Sequence, residues 1–175
     1  MSLDPMTTGP AYQGWAVDFL NPRIEKHFRA FEWGSGWSTI WLAARCASVV
    51  SVEHDREWFQ DAESNMRRYG VGENVSLLHI PKDRGASEYA YYADVILGYP
   101  DEHFHIICVD GRNRAGCIRN AMVKLVRPGG MMVVDDYPRA QYQEALQLMD
   151  SWSRNLVYRG TETMATGVWF RPTEG

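Results

Sequence analysis

Residues 31 to 39 read Phe-Glu-Trp-Gly-Ser-Gly-Trp-Ser-Thr. An apolar run ends in an acid, breaks into two spaced glycines and re-enters as a segment with helical periodicity. That is how a strand, a tight loop and a helix are written in one short stretch. Ile40, Trp41 and Ala44 repeat helically behind Ser38, which is placed as the helix N-cap.

The unit recurs. Val49, Val50 and Val52 predict a second strand ending at Glu53-His54-Asp55, and Trp58, Phe59, Ala62, Met66 and Tyr69 mark a helix that stops at Gly70. A third strand is expected over 75–80, ended by Pro81, and a fourth over 104–109, ended by Asp110-Gly111. Pro128-Gly129-Gly130 makes a turn before a fifth strand over 131–134, which runs into Asp135-Asp136. Helical faces precede and follow that strand, through Ile118, Ala121, Met122, Leu125 and Val126, then Tyr142, Ala145, Leu146, Met149 and Trp152. Two further strands, at about 155–159 and 166–170, close the chain. Before the loop, residues 12–20 predict a short amphipathic helix and Asn21-Pro22 the start of a second, to about Phe28. Residues 81–103, with Tyr89, Tyr91 and Tyr92, form a longer, partly helical connection. Residues 1–11 are set aside as a disordered or added start, and 12–175 read as a single domain.

Strands alternating with helices imply right-handed crossovers and an α/β fold with a doubly wound, mostly parallel sheet. Ligands in such sheets sit beyond the carboxyl ends of the strands. Glu32, Glu53, Asp83, Asp110, Asp135 and Asp136 all fall at or just after predicted strand ends, so they should share one edge.

Composition narrows the partners. No apolar run reaches the roughly 18 residues needed to span a membrane, and no basic-then-apolar leader opens the chain, so a soluble, cytoplasmic protein is expected. A net charge of -4 without a basic block points to a small-molecule substrate and away from nucleic acid or membrane. Cys46, Cys108 and Cys117 are odd in number and lack CxxC spacing, which favours buried free thiols. Oligomeric state is left open, a homodimer included.

Gly34 and Gly36 let the loop turn sharply and let a ligand touch its backbone. A dinucleotide would want a third small residue where Thr39 stands, and Glu32 would set a negative charge beside its pyrophosphate. S-adenosylmethionine carries a sulfonium and an ammonium group instead, which a carboxylate attracts. Glu53 closes the next strand about 20 residues on, the spacing at which an acid accepts hydrogen bonds from ribose hydroxyls.

Glu-x-Gly-x-Gly-x-Ser-Thr, Val52-Glu53-His54-Asp55, Val109-Asp110-Gly111 and Arg127-Pro128-Gly129-Gly130 before Val134-Asp135-Asp136 resemble the class I S-adenosylmethionine-dependent methyltransferases, over about residues 28–170. The resemblance implies a Rossmann-like seven-stranded sheet of order 3-2-1-4-5-7-6 with the last strand antiparallel. It also implies that Glu32, Gly34 and Gly36, with Ser35 and Ser38 of the same loop, hold the methionine part. Glu53, flanked by His54, would hold the ribose, and Asp83 is a candidate for the adenine. Arg112 and Arg114, with Asp135-Asp136-Tyr137, resemble bacterial members that have no assigned substrate.

Asp110 and Asp136 are the candidate catalytic groups, as bases toward a hydroxyl or amine, and Asp110 is also a candidate cofactor-binding residue. In catechol O-methyltransferase-like relatives an aspartate and an Asp-Asn pair at these strand ends bind magnesium, so Asp110, Asp135 and Asp136 are the residues to inspect for a divalent metal. Arg112 and Arg114 either clamp an anionic substrate or pair with those carboxylates. Tyr137 and the tyrosines at 89, 91 and 92 are candidates to line the acceptor pocket. The expected activity is methyl transfer to an oxygen or nitrogen of a small acceptor. A cofactor-binding regulatory or scaffold protein is the alternative, and an NAD-dependent oxidoreductase is disfavoured.

Overall fold

The computed structural model describes residues 14–83, 88–156 and 165–174, with backbone alone at Gly14 and Trp15. Helix α1 (Gly14–Leu20) leads through a single 3-10 turn (Asn21–Arg23) into β1 (Arg29–Trp33). There follow α2 (Trp37–Ala43), β2 (Ser48–Glu53), α3 (Arg56–Arg68), β3 (Val75–His79), α4 (Ala90–Asp94), β4 (Ile106–Val109) and α5 (Arg114–Ala121). The chain ends through β5 (Met131–Val134), α6 (Gln143–Gln147), β6 (Ser153–Leu156) and β7 (Gly167–Phe170). These strands form one sheet of order β3-β2-β1-β4-β5-β7-β6. β1 to β5 pair in parallel and β7 runs antiparallel between β5 and β6. The predicted class, strand order and antiparallel last strand are all present.

Side chains alternate cleanly between two buried layers, as the twofold strand repeat demands. Phe31, Trp33, Ile107, Val109, Met132, Val134 and Trp169 face the layer under α4, α5 and α6. Ala30, Ile106, Cys108, Met131, Val133 and Val168 face the layer under α1 and α2. Both faces are covered, so the parallel strands can be apolar throughout. The three cysteines are free and buried, and among the described residues no helix is long and apolar enough to cross a membrane.

The expected helix over 21–28 is reduced to its first turn. Ile24 leaves it with extended backbone (φ -86°, ψ 127°). The Phe28 carbonyl accepts the N–H of Ala47 at 2.8 Å, and its ring stacks on His105 at 4.7 Å. Pairing Phe28 with the residues that enter β2 extends the chain toward β1, and that overrides the local helix signal. The N-cap of α2 is Gly36, with Ser38 one position into the helix. Of the predicted sixth strand, residues 157–159 lie outside the described residues, as does the N-terminal part of the first predicted helix.

Candidate functional site

The β1–α2 loop is fixed by its own hydrogen bonds. Gly34 N–H donates to Val52 O (2.9 Å), Ser35 N–H to Glu53 Oε2 (3.0 Å) and Gly36 N–H to Thr39 Oγ1 (3.0 Å). Gly34 sits at φ +94°, and a Cβ there would lie 2.6 Å from the carbonyl oxygen of Asp110. Glycine is therefore required where the ends of β1 and β4 touch. Above Gly36 a Cβ would meet nothing within 4 Å, so this side of the loop is open.

Glu32 is fully buried beneath that loop. It accepts hydrogen bonds from Thr39 Oγ1 and from Ser51 Oγ at 2.7 Å, and Ser51 is also bonded to Ser35 Oγ (2.6 Å). Its other oxygen, Oε2, has no partner among the described residues. Burial pushes the carboxyl up to about 7, against the pull of the Thr39, Ser38 and Ser51 hydroxyls. Register explains the grouping, because Ser51 on β2 and Cys108 on β4 flank Glu32 on β1. Thr39 and Ser51 are hydrogen-bond partners of Glu32 that the sequence alone did not assign to it. Ser51 carried a signal, being the one polar residue inside the apolar run from Val49 to Val52.

Glu53 at the end of β2 is buried too, and it is folded back on the chain. Oε1 accepts His54 N–H (2.7 Å) and Asp55 N–H (2.8 Å), and Oε2 accepts Ser35 N–H. His54 Nδ1 stands 2.7 Å from Oε1, off the direction a hydrogen bond requires. Asp83 does not reach the β3 end itself. Its carboxylate accepts Tyr91 N–H (3.0 Å) and its own N–H donates to Glu88 O (2.8 Å), bracing the entry to α4.

On the far side of the edge, Arg114 organises the acids. It bonds Asp110 Oδ1 (2.8 Å), Gly111 O (3.1 Å) and Asp135 O (2.5 Å), and lies 4.0 and 3.9 Å from the carboxylates of Asp135 and Asp136. Asp135 also accepts Thr166 Oγ1 (2.6 Å), while Asp136, at φ +52°, pairs with Arg139 (2.6 Å). Burial, then the Asp135 charge, pushes Asp110 up to about 7 although Arg114 opposes the shift. Asp135 is raised as well, first by burial. A guanidinium thus stands among the three acids where a divalent metal would have to sit, and these residues do not fit that ion. Among the described residues no three His, Cys, Asp or Glu side chains are grouped to hold one.

A cleft of about 360 Å³ opens beside this cluster, lined by Arg112, Arg114, Arg139 and Tyr142 among others. Arg112 does face it, whereas Arg114 is 10% exposed and already engaged. Tyr137 is buried edge-on against Trp169 (5.6 Å) and borders a different depression with Leu146 and Leu156. Tyr92 is buried in the core, its hydroxyl donating to Val52 O (3.3 Å), and Tyr91 is exposed. Tyr89 stands beside His54 with ring centroids 5.5 Å apart.

If Arg114 is the internal counter-ion of Asp110, Asp135 and Asp136, then Arg114→Met leaves partly buried acids without their cation. A loss of roughly 2–3 kcal/mol in unfolding free energy is expected, at the low end because Asp110 keeps 30% side-chain exposure. Arg112→Gln should cost much less in the same denaturant titration.

With this geometry in view, the chain belongs to the methyltransferase-domain family, whose profile matches residues 31–137. The superfamily's cofactor is S-adenosylmethionine. Comparison with curated protein sequences finds no match. Among solved structures, a methyltransferase-like protein from Silicibacter pomeroyi superposes with a TM-score of 0.68 at 21% identity, covering 95% of this chain and 90% of that one. An O-methyltransferase from Bacillus cereus in complex with SAH gives 0.67 at 20%, covering 92% and 82%. The precorrin 8W decarboxylase of Methanobacterium thermoautotrophicum gives 0.64 at 20%, covering 96% and 94%. Identities this low establish the fold alone.

The residues fit the cofactor. The buried, unpartnered Glu32 oxygen suits a cationic group, and Glu53 stands at the neighbouring strand end. All three loop N–H groups that would cradle a pyrophosphate are bonded internally, which weighs against a dinucleotide.

Proposed function

We propose that the protein transfers the methyl group of S-adenosylmethionine to an oxygen or nitrogen of a small anionic acceptor. The observation that carries this reading is Glu32, a buried carboxylate with one oxygen unpartnered under an open glycine loop. When bound, the cofactor supplies a sulfonium methyl, whose transfer forms a C–O or C–N bond as the C–S bond breaks and leaves its electrons on sulfur.

The chain's own part is mainly positioning. Glu32 attracts the positive end of the methionine moiety, and Glu53 offers carboxylate oxygen to the ribose. Arg112, at the cleft, meets the acceptor's negative charge with a planar fork of donors. Asp110, raised to about 7, is suited to take the proton that the acceptor loses. Asp136 is held by Arg139 beside it and supports that role through charge. Holding donor and nucleophile in line at near-attack distance can account for several kcal/mol of the barrier.

The cleft favours a transferase over a cofactor-binding scaffold, because it leaves room for an acceptor beside the acids. Incubation with S-adenosylmethionine and a panel of small carboxylates and phosphates bearing a hydroxyl or amine tests this. S-adenosylhomocysteine formation with an anionic acceptor is expected. Bound cofactor with no turnover across that panel and its neutral counterparts would favour the scaffold.

A further inference from the structure

His54 joins the two halves of the site. Arg112 Nε donates to His54 Nε2 (3.1 Å), so the imidazole proton is on Nδ1, which faces Glu53 Oε1 at 2.7 Å. The ring is held edge-on by Tyr89 (5.5 Å) and Tyr92 (6.0 Å). Tyr92 is fixed in the core and the Tyr89 carbonyl accepts Asn113 Nδ2 (3.2 Å). A chain of contacts therefore runs from the cleft through Arg112 and His54 to the carboxylate at the end of β2.

Glu53 is crowded as it stands. Oε1 already faces two backbone N–H groups and the imidazole, and Oε2 faces one N–H. The imidazole lies against Oε1 without the direction of a hydrogen bond, so it takes up the space, not an acceptor position, through which a ribose hydroxyl would reach that carboxylate. The N–H groups of His54 and Asp55 are fixed by the backbone; the imidazole is a side chain. The hydrogen bond that orients the ring between those tyrosines comes from Arg112, which is exposed, lines the cleft and has no carboxylate within ion-pair distance among the described residues.

We propose that His54 is a positioning residue that couples acceptor to cofactor: an anion in the cleft draws Arg112 off His54, and the freed imidazole turns from Glu53, which opens the carboxylate to the ribose. The coupling rests on the function proposed above. By linkage it is reciprocal, so each ligand tightens the other by the same factor.

Inorganic phosphate is the probe. S-adenosylmethionine is titrated by calorimetry in phosphate and in chloride of equal ionic strength, and the ratio of the two dissociation constants is read for each variant. Each variant's own chloride value is its reference, so a general loss of affinity cancels. Wild type should bind roughly 5-fold or more tightly in phosphate. The ratio should fall to about 1 in Arg112→Gln and in His54→Phe, and His54→Gln, which keeps an acceptor for Arg112, should restore part of it. A wild-type ratio of 1 or a weakening by phosphate would overturn the coupling and leave the proposed function standing. Persistence of the effect in Arg112→Gln or His54→Phe would overturn it too. Absence of any cofactor binding by the wild type would instead overturn the proposed function, and the coupling with it.

Discussion

Glu53→Ala is expected to weaken S-adenosylmethionine roughly 100-fold, while Arg112→Ala in chloride changes it by no more than a few-fold. Two hydrogen bonds from ribose hydroxyls to a charged acceptor contribute about 1.5–3 kcal/mol each and are not fully additive. The substitution also strips the N–H groups of Ser35, His54 and Asp55 of their acceptor. Leaving buried donors unpaired costs about 1–3 kcal/mol apiece before water or the chain adjusts, so a drop in unfolding free energy should accompany the loss of binding. Calorimetry well below the variant's unfolding temperature separates the two effects. Glu53→Gln, which keeps one carbonyl acceptor, should fall between. If Arg112→Ala proved the more damaging of the two, the assignment of the cofactor to the β1 and β2 ends would be wrong.

The second large effect is a dependence of stability on pH. Glu32 has its ordinary value of 4.5 raised to about 7 by burial. An acid raised on folding favours the native state in its neutral form. The associated penalty is absent below pH 4.5, grows between 4.5 and 7 and is constant above, where it amounts to roughly 3 kcal/mol. The ligand-free protein should thus lose stability as pH rises from 5 to 8. Glu32→Gln should flatten that slope and raise unfolding free energy at pH 8, while binding S-adenosylmethionine much less tightly. Asp110, also raised to about 7, adds a slope of the same sign that the Glu32 variant retains. Denaturant titrations at pH 5, 6.5 and 8 read all three statements. Stability that increases over this range in the wild type would contradict a Glu32 whose burial outweighs its hydrogen bonds.

Much of the architecture was legible because β2, β4 and β5 are short runs rich in valine, isoleucine or methionine that end at acids. Val49 to Glu53 and Met131 to Val134 needed no tertiary information, and the alternation with helices dictated a parallel sheet. The helix expected over 21–28 failed for a non-local reason, since Phe28 is required beside Ala47 and His105 to start β1. Ser38 looked like an N-cap because local spacing cannot show that Gly36, with its open backbone, is where the helix begins.

The candidate site was legible where one residue sufficed and opaque where a contact was needed. Glu32, Gly34 and Glu53 could be read from their strand ends. The bond between Arg112 and His54 spans 58 residues of sequence, and no periodicity announces it. Arg114 and Arg112 look interchangeable in sequence, yet one is locked among Asp110, Gly111 and Asp135 and the other faces the cleft. Tyr137 follows two acids at a strand end, which suggests a pocket residue, but the antiparallel β7 brings Trp169 against it and makes it part of the packing.

Calorimetric titration of the wild-type protein with S-adenosylmethionine tests the central claim most directly. Saturable one-to-one binding with a dissociation constant in the range of about 1 μM to 1 mM is predicted, lost in Glu53→Ala. An absence of heat up to millimolar cofactor, or tighter binding of NAD under the same conditions, would contradict it.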